Sequence, residues 1–197
     1  MIADCTALIL AGGESRRMGQ DKASLVLDGR TLLQSVAATL QPLFAEVIVS
    51  VRQPRADIDL PQVCDAPGQF GPLAGLAAGL ERTSNPWGFA VACDMPFITA
   101  PLIEYLAEQR ADCQAVVPVV GGHPQPLAAF YAAGCLDVVR GLLSSSGKHS
   151  LRSLLDGLRV RYVNEAEMLA ADPQLRSFFD LDTPQDVALA KNQEVAR

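Results

Sequence analysis

The chain has 197 residues, a formal charge of −6, and a composition that is 49% hydrophobic and 19% charged. That length suits one domain built on one sizeable core, and the apolar share excludes a disordered chain. Ordinary numbers of Gly (15) and Pro (13) exclude collagen-like and low-complexity readings, and a pI near 4.9 argues against nucleic-acid binding, which needs a basic face.

The N-terminus, Met1-Ile2-Ala3-Asp4, lacks the basic lead and apolar core of a signal peptide, so a cytoplasmic protein is expected. Residues 6–11 (TALILA), 47–51 (VIVSV), 88–93 (GFAVAC) and 114–119 (QAVVPV) read as near-continuous apolar strands, as expected when both faces of a parallel sheet are covered. Between them, 31–40, 73–82 and 101–109 read as helices; Leu32, Leu33, Val36 and Leu40 fall on one side of the first. The apolar stretch 72–80 ends at Glu81 and Arg82, far short of the roughly 18 residues a membrane helix needs, so no membrane association is expected. Past Val119, short strands are expected at 127–131, 159–163 and 178–181, and a mobile surface loop at 144–148. A final helix begins at Thr183, with Pro184 in its first turn and Asp186 completing a capping box. Strands alternating with helices imply an α/β fold, a three-layer doubly wound and mostly parallel sheet, in which ligands bind outside the carboxyl ends of the strands.

The loops after the strands carry the chemistry. The first strand runs into Gly12-Gly13-Glu14-Ser15-Arg16-Arg17-Met18-Gly19-Gln20-Asp21-Lys22. Glycines let the backbone come close to a ligand, and Arg16, Arg17 and Lys22 gather cations in an acidic protein; both suit a polyphosphate. Neither G-x-G-x-x-G nor G-x-x-x-x-G-K-[ST] is present; the run from Gly141 to Gly147-Lys148-His149 imitates the second, with the wrong spacing and His in place of the hydroxyl. Asp94 follows the third predicted strand, where a carboxylate can hold Mg²⁺ beside a nucleotide, although a strand-ending Asp also serves as a helix N-cap or turn residue. Asp65 lies on the same rim and leads through Gly68 and Gly71 to Gly75, a turn opening a helix whose N-terminus favours anions. The five cysteines are scattered singly and read as reduced thiols. With two histidines in the chain, a His-based metal cluster is not expected.

Leu10-Ala11-Gly12-Gly13-x-Ser15-x-Arg17-Met18-Gly19-x-Asp21-Lys22 resembles the signature of molybdenum cofactor nucleotidyltransferases. Gly71-Pro72-Leu73-Ala74-Gly75-Leu76, Cys93-Asp94-Met95-Pro96-Phe97, Gln125-Pro126-Leu127-x-Ala129-x-Tyr131 and Asp182-Thr183-Pro184-x-Asp186 are similar to later blocks, in order, across residues 8–186. The Gly-Gly pair resembles the guanylyltransferase branch, where cytidylyl-transferring relatives carry Ala-Gly. The resemblance implies a Rossmann-like nucleotidyltransferase domain over 1–197, with a nucleotide-binding part at about 1–112 and a pterin-substrate part at about 113–197. It implies GMP transfer from GTP to molybdenum-bound molybdopterin, with Mg²⁺ as cofactor and transient contact with molybdoenzymes or their chaperones.

By the same resemblance Leu10, Ala11, Gly12 and Gly13 meet the nucleotide through backbone, Lys22 meets its phosphates with help from Arg16 and Arg17, and Asp65 also contacts it. Asp94 binds Mg²⁺ and with it GTP. Two positions depart from the family: Ser50 stands where Asn often contacts the base, and Asp180-Leu181-Asp182 stands where Asn-x-Asn is usual. His123, Pro124, Gln125 and Pro126 are expected to line the second substrate's side, while Arg152 and Arg159 read as surface charges. Rival readings are a cytidylyl- or sugar-phosphate nucleotidyltransferase and a catalytically silent nucleotide-binding chaperone.

Overall fold

The structure is a computed structural model that describes residues 1–12, 22–145, 150–181, 185 and 186. In chain order it has β1 (Cys5–Leu10), a 3-10 turn (Lys22–Ser24), β2 (Val26–Leu27), β3 (Arg30–Thr31), α1 (Leu32–Leu40), β4 (Glu46–Val51), β5 (Gln62–Cys64) and α2 (Pro72–Arg82). There follow β6 (Trp87–Ala92), α3 (Ala100–Glu108), β7 (Ala115–Val120), β8 (His123–Pro124), β9 (Ala128–Ala132), α4 (Cys135–Ser144), α5 (Leu151–Asp156), β10 (Val160–Val163), α6 (Glu165–Met168) and a second 3-10 turn (Arg176–Phe178).

One sheet runs in the order β10-β7-β9-β6-β1-β4-β5, with β8 folded back on β7. The strands β5, β4, β1 and β6 are mutually parallel, β7 and β10 pair in parallel, and β9 is antiparallel to both β6 and β7. All six residues of β1 are buried, because helices cover both faces of the sheet. Leu8 and Leu10 point to a core shared with Leu73, Leu76 and Leu80 of α2. Ala7 and Ile9 point the other way, to Val36 and Leu40 of α1 and Leu102 and Ile103 of α3. That is the three-layer doubly wound arrangement expected from the alternation of strands and helices.

At the end of the sheet where β1 begins, the buried Thr6 hydroxyl donates to Glu46 Oε2 (3.0 Å), accepts from Asn85 Nδ2 (2.8 Å), and lies 2.5 Å from the Thr83 hydroxyl. A buried hydroxyl needs such partners, and here they tie β1, β4 and the loop after α2 together.

The strand and helix expectations hold to within a residue or two, with one correction. Residues 178–181 form no strand: Leu175 enters at φ 50°, the chain makes a 3-10 turn, and the Asp172 carboxylate accepts the Arg176 and Ser177 N–H groups at 3.2 and 2.9 Å. The Leu181 N–H then goes to the Asp94 carbonyl (3.0 Å) and joins no ladder. Local capping by Asp172 outweighs the strand preference of Phe178 and Phe179. Thr183 and Pro184 lie outside the described residues, as do Ser146, Gly147 and Lys148 of the expected loop; Gln185 and Asp186 are helical. Among the described residues no helix is long and apolar enough to cross a membrane. Cys5, Cys64, Cys113 and Cys135 form no disulfide; burial lifts the Cys5 thiol to about 12 and that of Cys135 to about 11.

Candidate nucleotide site

A cavity of about 370 Å³ lies at the carboxyl ends of β1, β4 and β6 and the start of α2. Its floor is braced by backbone bonds between strand ends: Ala11 N–H to Ser50 O (2.9 Å), Cys93 N–H to Leu10 O (3.1 Å) and Ala92 N–H to Leu127 O (3.1 Å). The main chain of residues 10–12 is thereby fixed at the rim, and Leu10, Ala11, Gly12 and Ser50 all line the cavity. Ser50 is 2% exposed, so its small polar side chain sits at the base of the cleft with α2 directly behind it.

Two glycines make that close approach possible. Gly71, at φ 90°, caps α2 in a conformation that L side chains rarely adopt, with Pro72 preset for the first turn. At Gly75 a Cβ would stand 2.8 Å from Ser50 Oγ and 3.4 Å from Leu10 Cδ2. Elsewhere in a helix Gly→Ala gains about 1 kcal/mol. Overpacking of this kind costs about 1–3 kcal/mol and acts against that gain. Gly75→Ala is therefore expected to lower the midpoint of urea unfolding, whereas a raised midpoint would show that Ser50 yields freely.

Lys22 begins the first 3-10 turn and reaches across the cleft. Its Nζ lies 2.6 Å from Asp94 Oδ2, the two side chains being 21% and 16% exposed. The sequence suggests an exposed loop lysine; the structure instead seats it against the carboxylate after β6, in the cavity wall. Asp94 is not a helix cap: it lies in a turn, and α3 starts later, behind Thr99. Its main chain is held on both sides, by Cys93 N–H on β1 and by Leu181 N–H on its carbonyl. The ammonium at 2.6 Å marks a cation position at this carboxylate. Among the described residues no three His, Cys, Asp or Glu side chains gather into a metal cage. The donor set fits an ion such as Mg²⁺, which takes one or two carboxylates and completes its shell with water and phosphate oxygens.

Asp65 lines the same cavity one residue past β5. Burial pushes its carboxyl pKa up, and the nearby Arg52 guanidinium opposes the shift. A half-buried carboxylate of this kind is a strong acceptor for paired N–H donors. The far wall comes from later in the chain, with Gln125, Pro126, Leu127, Leu151 and Asp180. Within the expected second-substrate group, Gln125 and Pro126 line the cavity. His123 and Pro124 do not: the Gly121-Gly122 turn, both at positive φ, folds them back on β7 as the exposed strand β8. Arg152 and Arg159 are exposed. Leu151 carries no sequence signal for the site, and Asp180 shows itself there only as a departure from the Asn-rich block. Gly13, Arg16, Arg17 and Asp182 lie outside the described residues.

The whole chain superimposes on the crystal structure of molybdopterin-guanine dinucleotide biosynthesis protein A from Archaeoglobus fulgidus. The TM-score is 0.86 at 26% identity, covering 98% of this chain and 100% of that one, which sets the fold among the nucleotidyltransferases. The family model for the MobA-like NTP transferase domain matches residues 7–165. A Pelotomaculum thermopropionicum protein named probable molybdenum cofactor guanylyltransferase is 38% identical over 188 residues, 94% of this chain and 91% of its own. The Desulfosudis oleivorans molybdenum cofactor guanylyltransferase is 33% identical over 190 residues, 94% of each chain. The chain belongs to the molybdenum cofactor guanylyltransferase family, and it is a nucleotidyltransferase.

Proposed function

We propose that the protein transfers GMP from GTP to molybdenum-bound molybdopterin, giving the guanine dinucleotide form of the cofactor and pyrophosphate. The observation that carries this reading is the Lys22–Asp94 pair at 2.6 Å in a cleft floored by the backbone of residues 10–12. No enzyme nucleophile is needed. The terminal phosphate of the pterin is already anionic; its oxygen forms a bond to the α-phosphorus, and the bond to the β-phosphate oxygen breaks as pyrophosphate leaves. Catalysis then rests on bringing two anions into line and neutralising the charge that develops.

Asp94 would hold Mg²⁺, whose chemistry when bound is that of a Lewis acid on phosphoryl oxygens. Lys22 leaves the carboxylate for the departing phosphates, where Arg16 and Arg17 of the same loop add charge. Backbone groups of Leu10, Ala11, Gly12 and Gly13 seat the nucleotide. The N-terminal turn of α2, from Gly71 to Gly75, turns its positive dipole end to the cleft. Guanine presents two adjacent N–H donors on its Watson–Crick edge, which match the two oxygens of Asp65, with Ser50 alongside. The pterin enters from the side of Gln125, Pro126 and Leu151, which line the cavity; on this reading a nucleotide-binding part at about 1–112 and a pterin-substrate part at about 113–197 serve one cleft. Its products pass to molybdoenzymes or their chaperones by transient contact, in the cytoplasm.

The test is pyrophosphate release from each of GTP, CTP, ATP and UTP with Mg²⁺, with and without molybdenum-bound molybdopterin. Release only from GTP, and only with the pterin present, is expected. Asp65→Asn should cut the preference for GTP over ATP by about 10- to 100-fold, since a mispaired buried polar group costs about 1–3 kcal/mol. Release from CTP would overturn the base assignment, and binding without release would favour a chaperone.

A further inference from the structure

We infer that Arg55 is a positioning residue that sets the Lys22 turn from the side opposite the cleft; the inference rests on Lys22 acting at the phosphates as proposed above. The three residues of that 3-10 turn face three ways. Lys22 reaches Asp94, Ala23 is 2% exposed and is plugged into the core beside α1, and the Ser24 hydroxyl accepts from Arg55 Nη2 at 2.7 Å. The Leu25 N–H closes the turn on the Lys22 carbonyl (3.1 Å), and the Arg55–Ser24 bond grips it from behind, on the side away from the ammonium.

Arg55 is well built for that contact. The Asp57 carboxylate takes its Nε at 3.0 Å and its Nη2 at 2.5 Å, a two-toothed grip that sets the plane of the guanidinium. The Gln62 side chain clamps the main chain at the same residue, accepting the Arg55 N–H (2.9 Å) and donating to the Arg55 carbonyl (2.7 Å) and the Ile58 carbonyl (3.0 Å). Gln62 opens β5, and β5 ends beside Asp65. A continuous run of bonded groups therefore leads from the strand that presents Asp65, through Gln62, Arg55 and Ser24, to Lys22. None of these intermediates lines the cavity, although Lys22 and Asp65 both do. The arrangement ties the spacing between the base-reading carboxylate and the phosphate-reading ammonium to the loop between β4 and β5.

Arg55→Ala is expected to lower kcat by about 10- to 100-fold, the scale of a misplacement of about an ångström, with KM for GTP changed far less. In a Lys22→Ala background the same substitution should have no further effect, because its action runs through Lys22. Guanidinium ion added to Arg55→Ala should restore part of the loss, and Arg55→Lys, which lacks the fork, should restore little. Ser24→Ala removes the contact from the other side and serves if Arg55→Ala does not fold. A second readout needs no nucleotide: the rate at which an amine-acylating reagent modifies Lys22, followed by peptide mass spectrometry, should rise several-fold in Arg55→Ala and in Ser24→Ala. An unchanged acylation rate, an equal loss with and without Lys22, or a lowered Tm with normal kcat would overturn the positioning role. Absence of pyrophosphate release by the unaltered enzyme would instead overturn the proposed reaction and leave the acylation comparison standing.

Discussion

Turnover is expected to fall by about 100- to 1,000-fold in Lys22→Ala, the range found when one preorganised charge-stabilising donor is removed from a transition state. The fall appears in kcat more than in KM, because the ammonium is most needed where negative charge develops on the departing phosphates. Fold stability is expected to fall by about 1–3 kcal/mol, because the substitution takes the ammonium away from an Asp94 carboxylate that is only 16% exposed. Steady-state kinetics together with a thermal melt check both halves. A variant that melts normally and works at near the original rate would remove Lys22 from the mechanism.

Asp94→Ala is expected to have the second large effect: on the proposed mechanism Mg²⁺-dependent turnover should be lost altogether, and a titration of rate against Mg²⁺ should show no saturating rise. The variant is expected to fold, because the main-chain bonds at this turn, from Cys93 N–H to Leu10 O and from Leu181 N–H to Asp94 O, do not involve the carboxylate. The side chain caps no helix. Retained Mg²⁺-saturable turnover would move the metal to another carboxylate of the cleft, and outright unfolding would mark Asp94 as a structural turn residue. The two variants also differ in charge. Loss of Lys22 leaves Asp94 an uncompensated anion, whereas loss of Asp94 leaves a cation facing an anionic substrate, so Asp94→Ala should still bind GTP.

Much of the architecture is legible in the chain because β1, β4, β6 and β7 are covered on both faces and must be apolar throughout. Gly12, Lys22, Asp65, Gly71, Gly75 and Asp94 are legible for a related reason: each lies just past a strand or in the opening turn of a helix, and the fold brings those ends together, whereas Leu10 and Ser50, inside β1 and β4, are legible only through the family resemblance. The direction of β9 is not written in its residues, because an apolar run packs equally well in either orientation and its sense is settled by the short β8 turn before it. The strand expected at 178–181 fails because Asp172, several residues upstream, supplies a cap that no local propensity reveals. Pairing between Lys22 and Asp94 spans 72 positions and depends on the cleft geometry. Arg55 looks like any loop arginine until the Asp57 and Gln62 grips are seen.

The distribution of thiols gives the molecule a native point of attachment. Three of the five are buried, with the Cys5 and Cys135 thiols held protonated by the apolar surroundings, and Cys113 is half-buried and shifted the same way. Cys64 is exposed and ends β5, immediately before Asp65. A thiolate-seeking fluorophore thus meets one fully exposed sulfur, at the lip of the cleft where the base is proposed to enter. Occupancy of the site becomes an optical signal in the unaltered chain, and the fold supplies the selectivity that engineering usually has to add.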